Sequence, residues 1–156
     1  MYRRLAIFLM MLAGMSTWSH AQARQNICSG APVPAGWVIV AFGTNGACGG
    51  STFDLEVIED IATITTPGST VSACAEGIPL PAEWVVEGVT TNLGCGFGTN
   101  NVDQLLQLEG FVVGTEKFVC TGNILPTGWA VVSTTTQAGS CGGGGPNNVD
   151  IIRRNF

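Results

Sequence analysis

Histidine, tyrosine and methionine are confined to the first twenty residues of this 156-residue chain, as His20, Tyr2, Met1, Met10, Met11 and Met15. The segment that carries them has the build of an export signal. Arg3 and Arg4 form a positive start, and Leu5 to Ala13 is a short apolar run. Ser19-His20-Ala21 and Ala21-Gln22-Ala23 then offer small residues at the −3 and −1 positions of a cleavage site. The apolar run is too short to span a bilayer. No small residue precedes Cys28 (the tripeptide there is Gln25-Asn26-Ile27), so a lipoprotein anchor is not expected. Residues 1–23 therefore read as a signal peptide and 24–156 as an exported domain, periplasmic or extracellular.

Without that segment the chain has no histidine. This removes the usual general base, the Ser-His and Cys-His nucleophile pairs and the commonest zinc ligand. No enzyme activity, cofactor or metal is expected. Basic residues are scarce as well: Arg24, Lys117, Arg153 and Arg154 stand against eleven Asp and Glu, a net charge of about −7. Nucleic acid and anionic membranes select basic patches, so neither is an expected partner, and no membrane insertion follows removal of the signal.

What the chain does contain is one pattern written three times. A cysteine, a short segment with proline, a tryptophan, an apolar run and a Cys-Gly pair occur in that order. The three instances are Cys28, Pro34, Trp37 and Cys48; Cys74, Pro81, Trp84 and Cys95; Cys120, Pro126, Trp129 and Cys141. Repeats of this length mark tandem structural units. The units span approximately 26–61, 72–110 and 117–156. A single β-trefoil-like domain is the alternative for three units of about 45 residues.

The runs after the tryptophans, 37–42, 84–89 and 129–134, are short and β-branched without a helical period, so strands are predicted. Alternation would put Trp37, Ile39 and Ala41 on one face, and likewise Trp84, Val86 and Gly88, or Trp129, Val131 and Ser133. The proline before each tryptophan suits the second position of a type I turn. Gly36 and Gly128 suit a left-handed residue there, while Glu83 either avoids positive φ or is strained by about 1 kcal/mol. Further strands are expected at 53–57, 102–109 and 149–152. Hairpins are predicted from 61–65 to 71–74 and from 111–113 to 117–120. The third unit lacks such an exit strand.

Six cysteines in an exported chain read as disulfides. Two symmetric schemes remain: Cys28–Cys48, Cys74–Cys95 and Cys120–Cys141 within units, or Cys48–Cys74, Cys95–Cys120 and Cys28–Cys141 across them. The first is favoured because each unit then carries its own staple. Closing a loop of about 20 residues is worth roughly 3 kcal/mol.

Few residues are candidates for chemistry. Asp54, Asp103 and Asp150 appear once per unit, after an apolar residue. They are expected to accept backbone N–H groups of the glycine loops, or else to bind Ca²⁺ or sugar hydroxyls with Asn100-Asn101 and Asn147-Asn148. The first unit has Ser51-Thr52 in place of the asparagines. Trp37, Trp84 and Trp129 are expected in the core, with sugar stacking as their alternative. Glu56, Glu59 and Asp60 are the remaining acid cluster, and a carboxylate-only hydrolase built on them is the weakest reading. Gly142 to Pro146 lacks the Gly-Lys-Ser/Thr of a phosphate loop.

The order Cys…Pro-x-Gly-Trp…Cys-Gly…Asn-Asn resembles short exported bacterial proteins of unknown function with two or three such units, in which tyrosine often replaces the tryptophan. The resemblance covers nearly all of residues 24–156 and implies no activity. Sugar-binding trefoils carry Gln-x-Trp, which no tryptophan here matches. The expectation is an all-β protein of three stapled units that acts as a binding or interaction module, for carbohydrate or an envelope protein. A secreted inhibitor or toxin-like effector is the alternative.

Overall fold

A computed structural model describes residues 23–142, Pro146 and residues 148–156. All of the signal segment but Ala23, most of the Gly142–Pro146 run and Asn147 lie outside the described residues.

Apolar alternation and glycine-rich breaks give strands β1 (Arg24–Cys28), β2 (Trp37–Gly43), β3 (Leu55–Asp60), β4 (Thr70–Cys74), β5 (Trp84–Thr90), β6 (Val102–Gln107), β7 (Glu116–Cys120), β8 (Trp129–Thr135) and β9 (Val149–Arg154). They form three antiparallel sheets ordered β1-β3-β2, β4-β6-β5 and β7-β9-β8. The fold is all-β, three tandem units, each closed by its own disulfide: Cys28–Cys48, Cys74–Cys95 and Cys120–Cys141. No ladder joins one sheet to the next, so the trefoil-like alternative is not what forms. Three closed disulfides are the mark of an oxidising, exported environment. Among the described residues no helix is long and apolar enough to cross a membrane.

Two local expectations are corrected. Residues 61–65 and 111–113 form turns and irregular chain, and the expected hairpins are absent. Their supposed second arms, β4 and β7, are the first strands of units two and three, and each pairs with the central strand that follows the second cysteine. Unit three therefore needs no exit strand. The second correction concerns the tryptophan strand. Its register slips between Ile39 and Ala41, between Val86 and Gly88, and between Val131 and Ser133. One extra residue, a β-bulge, sits at Val40, Glu87 and Val132. Because side chains alternate, the slip moves Ala41, Gly88 and Ser133 to the face opposite Ile39, Val86 and Val131.

The tryptophan turn forms in all three units, with Trp37 N donating to Pro34 O, Trp84 N to Pro81 O and Trp129 N to Pro126 O. Proline therefore stands at the first position of the turn, not the second. Gly36 has φ 86°, and a Cβ there would lie 2.7 Å from the Ala62 Cβ. Glu83 does not adopt positive φ, so the second unit turns without that strain.

Units pack through the tryptophan strand of one and the first strand of the next, β2 beside β4 and β5 beside β7. Val38 and Ile61 meet Val71, Ala73, Trp84 and Leu105 across the first junction. Val85, Leu106 and Leu108 meet Val119, Trp129 and Ile152 across the second. The second junction is also hydrogen-bonded. The Asn123 Oδ1 accepts Val86 N at 2.8 Å, and its Nδ2 donates to Val86 O at 2.9 Å and Cys120 O at 2.6 Å. Val89 N donates to Ser140 O, and Asn100 Nδ2 to Gly142 O. At the first junction Ile78 stands three residues before its turn proline, as Asn123 does before Pro126, and packs as a half-buried apolar side chain.

Two measurements test this arrangement. Trypsin cleavage after Lys117 in urea without reductant is expected to free a fragment with four cysteines from one with two. Fragments that stay joined until reductant is added would place a disulfide across Lys117. Asn123→Ala removes a side chain that closes the β5 edge. It is expected to lower stability by about 1–3 kcal/mol, read by denaturant unfolding, and to speed exchange of the Val86 amide.

Candidate functional site

The register between strands reassigns the repeated carboxylates. Cys28, Cys74 and Cys120 lie opposite Leu55, Val102 and Val149. Counting from there, Asp103 and Asp150 correspond to Glu56, and Asp54 corresponds to Asn101 and Asn148. The contacts agree. Asp54 is buried and clamps its loop by accepting Asn45 N at 2.7 Å and Gly50 N at 2.6 Å. Asn101 accepts Asn92 N at 2.9 Å and donates to Asn92 O and Gly96 O. Asn148 accepts Gln137 N and donates to Gln137 O. Asp54, Asp103 and Asp150 are thus not one repeated set, and the first unit replaces Asn100-Asn101 with Phe53-Asp54, not with Ser51-Thr52. Of the expected roles, loop clamping holds, among the described residues, for Asp54 alone.

The true equivalents differ in what they meet. Glu56 accepts Gly30 N at 3.3 Å, and Asp150 accepts the Thr121 hydroxyl at 3.5 Å. Asp103 follows the same geometry, but Ala75 stands where Thr121 does, and no described residue donates to its carboxyl. It borders a small cavity of about 200 Å³ lined by Ile39, Ile78 and Val86. Burial pushes its pKa above the ordinary carboxylate value.

Among the tryptophans, Trp84 (3% exposed) and Trp129 (6%) are core, each covered by the preceding unit. Trp37 is half-buried and packs at the margin of a cluster with Ile39 and Ile58. The acid cluster is dispersed. Glu56 and Ile58 share one face of β3, while Glu59 lies on the other, buried and bonded to Arg24 at 2.7 Å. Asp60 accepts Ala62 N. Glu56 and Glu59 therefore do not form a pair across one reacting bond. No group of three or more potential metal-ligating residues occurs among the described residues.

The surface that units one and two form jointly carries a more distinctive feature. A cleft of about 430 Å³ is lined by Ser29, Phe42, Phe53, Glu56, Glu76 and Phe97, with Cys95 and Gly96 completing it. Phe42 comes from β2, Phe53 from the loop before β3, and Phe97 from the loop after Cys95. The Phe42 and Phe53 rings meet edge to face at 6.1 Å and 71°, and Phe53 and Phe97 at 5.5 Å and 73°. Phe97 is 87% exposed. Phe53 has φ 64°, the same left-handed turn in which its counterpart Asn100 has φ 58°. Asparagine tolerates that conformation, whereas a bulky aromatic pays about 1–2 kcal/mol for it. Strain of this kind clusters at functional sites.

Comparison with protein-family models, curated proteins and solved structures found no match. The cleft is therefore judged on its own chemistry. A second cleft of about 380 Å³ at the other junction is lined by Pro79, Leu80, Trp84, Ile124 and Leu125 among others, without a charged side chain. It offers apolar surface and little to orient a ligand.

Sequence reasoning missed Phe42, Phe53, Phe97 and Glu76. The signal was available in the differences between units. Two residues after its second cysteine, unit two has Phe97 where the others have Gly50 and Gly143. Aligning the units on their likenesses hid it.

A pH test follows from Asp103. Its folded form holds the proton more tightly than the unfolded chain, so ionisation costs stability as pH rises through the raised pKa. Asp103→Asn is expected to give a small rise in Tm at about pH 7 and none at about pH 3, where the carboxyl is protonated in both states. Water screening at this half-buried site keeps the gain small.

Proposed function

We propose that the protein is a non-enzymatic binding module that works outside the cytoplasm, in the periplasm or beyond it, and takes its ligand in the aromatic cleft between units one and two. One observation carries this reading. Three phenylalanines converge there although the other units have Val89, Thr134, Asn100, Asn147, Gly50 and Gly143 at the corresponding positions. An exposed aromatic on a loop and a strained aromatic beside it have no role in holding a repeat that folds without them twice. Concave apolar walls with a few polar groups are the usual build of a ligand site. The cleft also has carboxylates and a hydroxyl but no histidine, so it is equipped to hold a molecule and poorly equipped to activate one.

The test is a thermal-shift screen of the intact protein against glycans, amino acids and alkylammonium salts, repeated on Phe97→Ala. At least one class is expected to raise Tm in the native protein by a few degrees or more, and that shift should be largely absent from the variant. Stabilisers indifferent to Phe97 would move the site elsewhere. Net consumption of a compound, followed by chromatography, would make the protein an enzyme.

A further inference from the structure

We infer that the ligand of this cleft is a small quaternary ammonium cation of the choline type, an inference that rests on the cleft being the binding site. The walls supply the first reason. Aromatic faces are electron-rich, and an alkylammonium group placed over them is attracted by the ring quadrupoles. Phe42, Phe53 and Phe97 stack edge to face at successive angles of 71° and 73°, so the ring faces left free look in more than one direction, and a compact cation can lie against one of them.

Charge supplies the second. Glu56 and Glu76 line the cleft, and every basic residue of the described chain is engaged elsewhere. Arg24 pairs with Glu59, and Arg153 with Glu116. Lys117 lies 4.5 Å from the centre of the Phe111 ring, and Arg154 donates to Thr127 O. Among the described residues no basic side chain pairs with the two carboxylates of the cleft. An opposite charge from outside is the complement.

Hydrogen-bonding capacity separates the classes of cation and excludes neutral sugars. A primary ammonium is strongly hydrated and has N–H groups to satisfy on entering an apolar site. One Glu56 oxygen already takes Gly30 N, which leaves its other oxygen, Glu76 and Ser29 as the side-chain acceptors for them. A quaternary ammonium has no N–H to satisfy, so it loses less on leaving water. A sugar hydroxyl both donates and accepts, and among the side chains of the cleft only the Ser29 hydroxyl can donate to it. Betaine and phosphocholine carry the same head with an anion attached, and repulsion from Glu56 and Glu76 disfavours both.

Calorimetric titration of the intact, oxidised protein with choline chloride tests the inference, with 3,3-dimethylbutan-1-ol as the uncharged isostere, betaine as the zwitterion and phosphatidylcholine vesicles as the headgroup source. Choline is expected to bind about tenfold more tightly than the isostere, and betaine more weakly than choline. Phe97→Ala removes an exposed side chain that supports no core, and it should weaken choline binding about tenfold. Glu76→Gln should weaken it severalfold and flatten its dependence on salt. Equal binding of choline and its isostere would overturn the charge requirement while leaving an aromatic binding cleft. Choline binding unchanged in Phe97→Ala, or no choline binding at all, would overturn the inference. In the latter case a different class that depends on Phe97 in the screen above would preserve the binding reading. Uptake onto vesicles without binding of free choline would overturn it in favour of a lipid headgroup.

Discussion

A sheet of three strands, each five to seven residues long, cannot bury a core by itself. This constraint shapes the rest of the molecule. Each unit hides much of its apolar surface by stacking on a neighbour, which is why Trp84 and Trp129, each covered by the preceding unit, are buried and Trp37 is only half so. The disulfide limits the freedom of the unfolded unit, and by the chain-entropy account it contributes roughly 3 kcal/mol for a loop of this size. Staple and stacking are complementary: one holds a unit together and the other gives it an interior.

Stacking also explains the differences between units. Val85, Leu106 and Leu108 present an apolar face to unit three. The same positions in unit three are Ala130, Arg153 and Asn155, with Arg153 paired to Glu116. The last face is thus polar where that of unit two is apolar, as terminal units of repeat proteins usually are, while unit one carries Glu59 at the position of Leu106, neutralised by Arg24. The aromatic cleft stands outside this logic. Residues that serve stacking recur, whereas Phe42, Phe53 and Phe97 do not recur and gather at one junction.

Much of this was legible in the sequence. Cysteine spacing left two symmetric pairings, and the need of each repeat for its own staple favoured the one that forms; β-branched runs marked the tryptophan strands, and the place of Trp84 and Trp129 in the core followed from their size. The misreadings have specific physical causes. Strand pairing across twenty or more residues leaves no local trace, so β4 and β7 were joined to the turns before them, not to β6 and β9. The apolar-acid pair occurs twice in unit one, as Phe53-Asp54 and Leu55-Glu56, and only the ladder register shows which one matches Val102-Asp103. A bulge adds one residue without changing composition, so the face swap at Val40, Glu87 and Val132 is invisible to periodicity. The cleft was hidden because it is built from exceptions to the pattern.

The two junctions are held by different kinds of force. Asn123, Ser140 and Asn100 tie units two and three with directional bonds that fix angle as well as distance. Between the sheets of units one and two the described contacts are mainly apolar, with the Arg24–Glu59 pair beside them, and apolar contact is less directional than a hydrogen bond. The second junction is thus held in angle by hydrogen bonds, and the first by the fit of its side chains. The aromatic cleft lies at that first junction, with Phe53 on one side and Phe97 on the other, so the edge-to-face contact of these two rings is part of what sets the angle between the first two units.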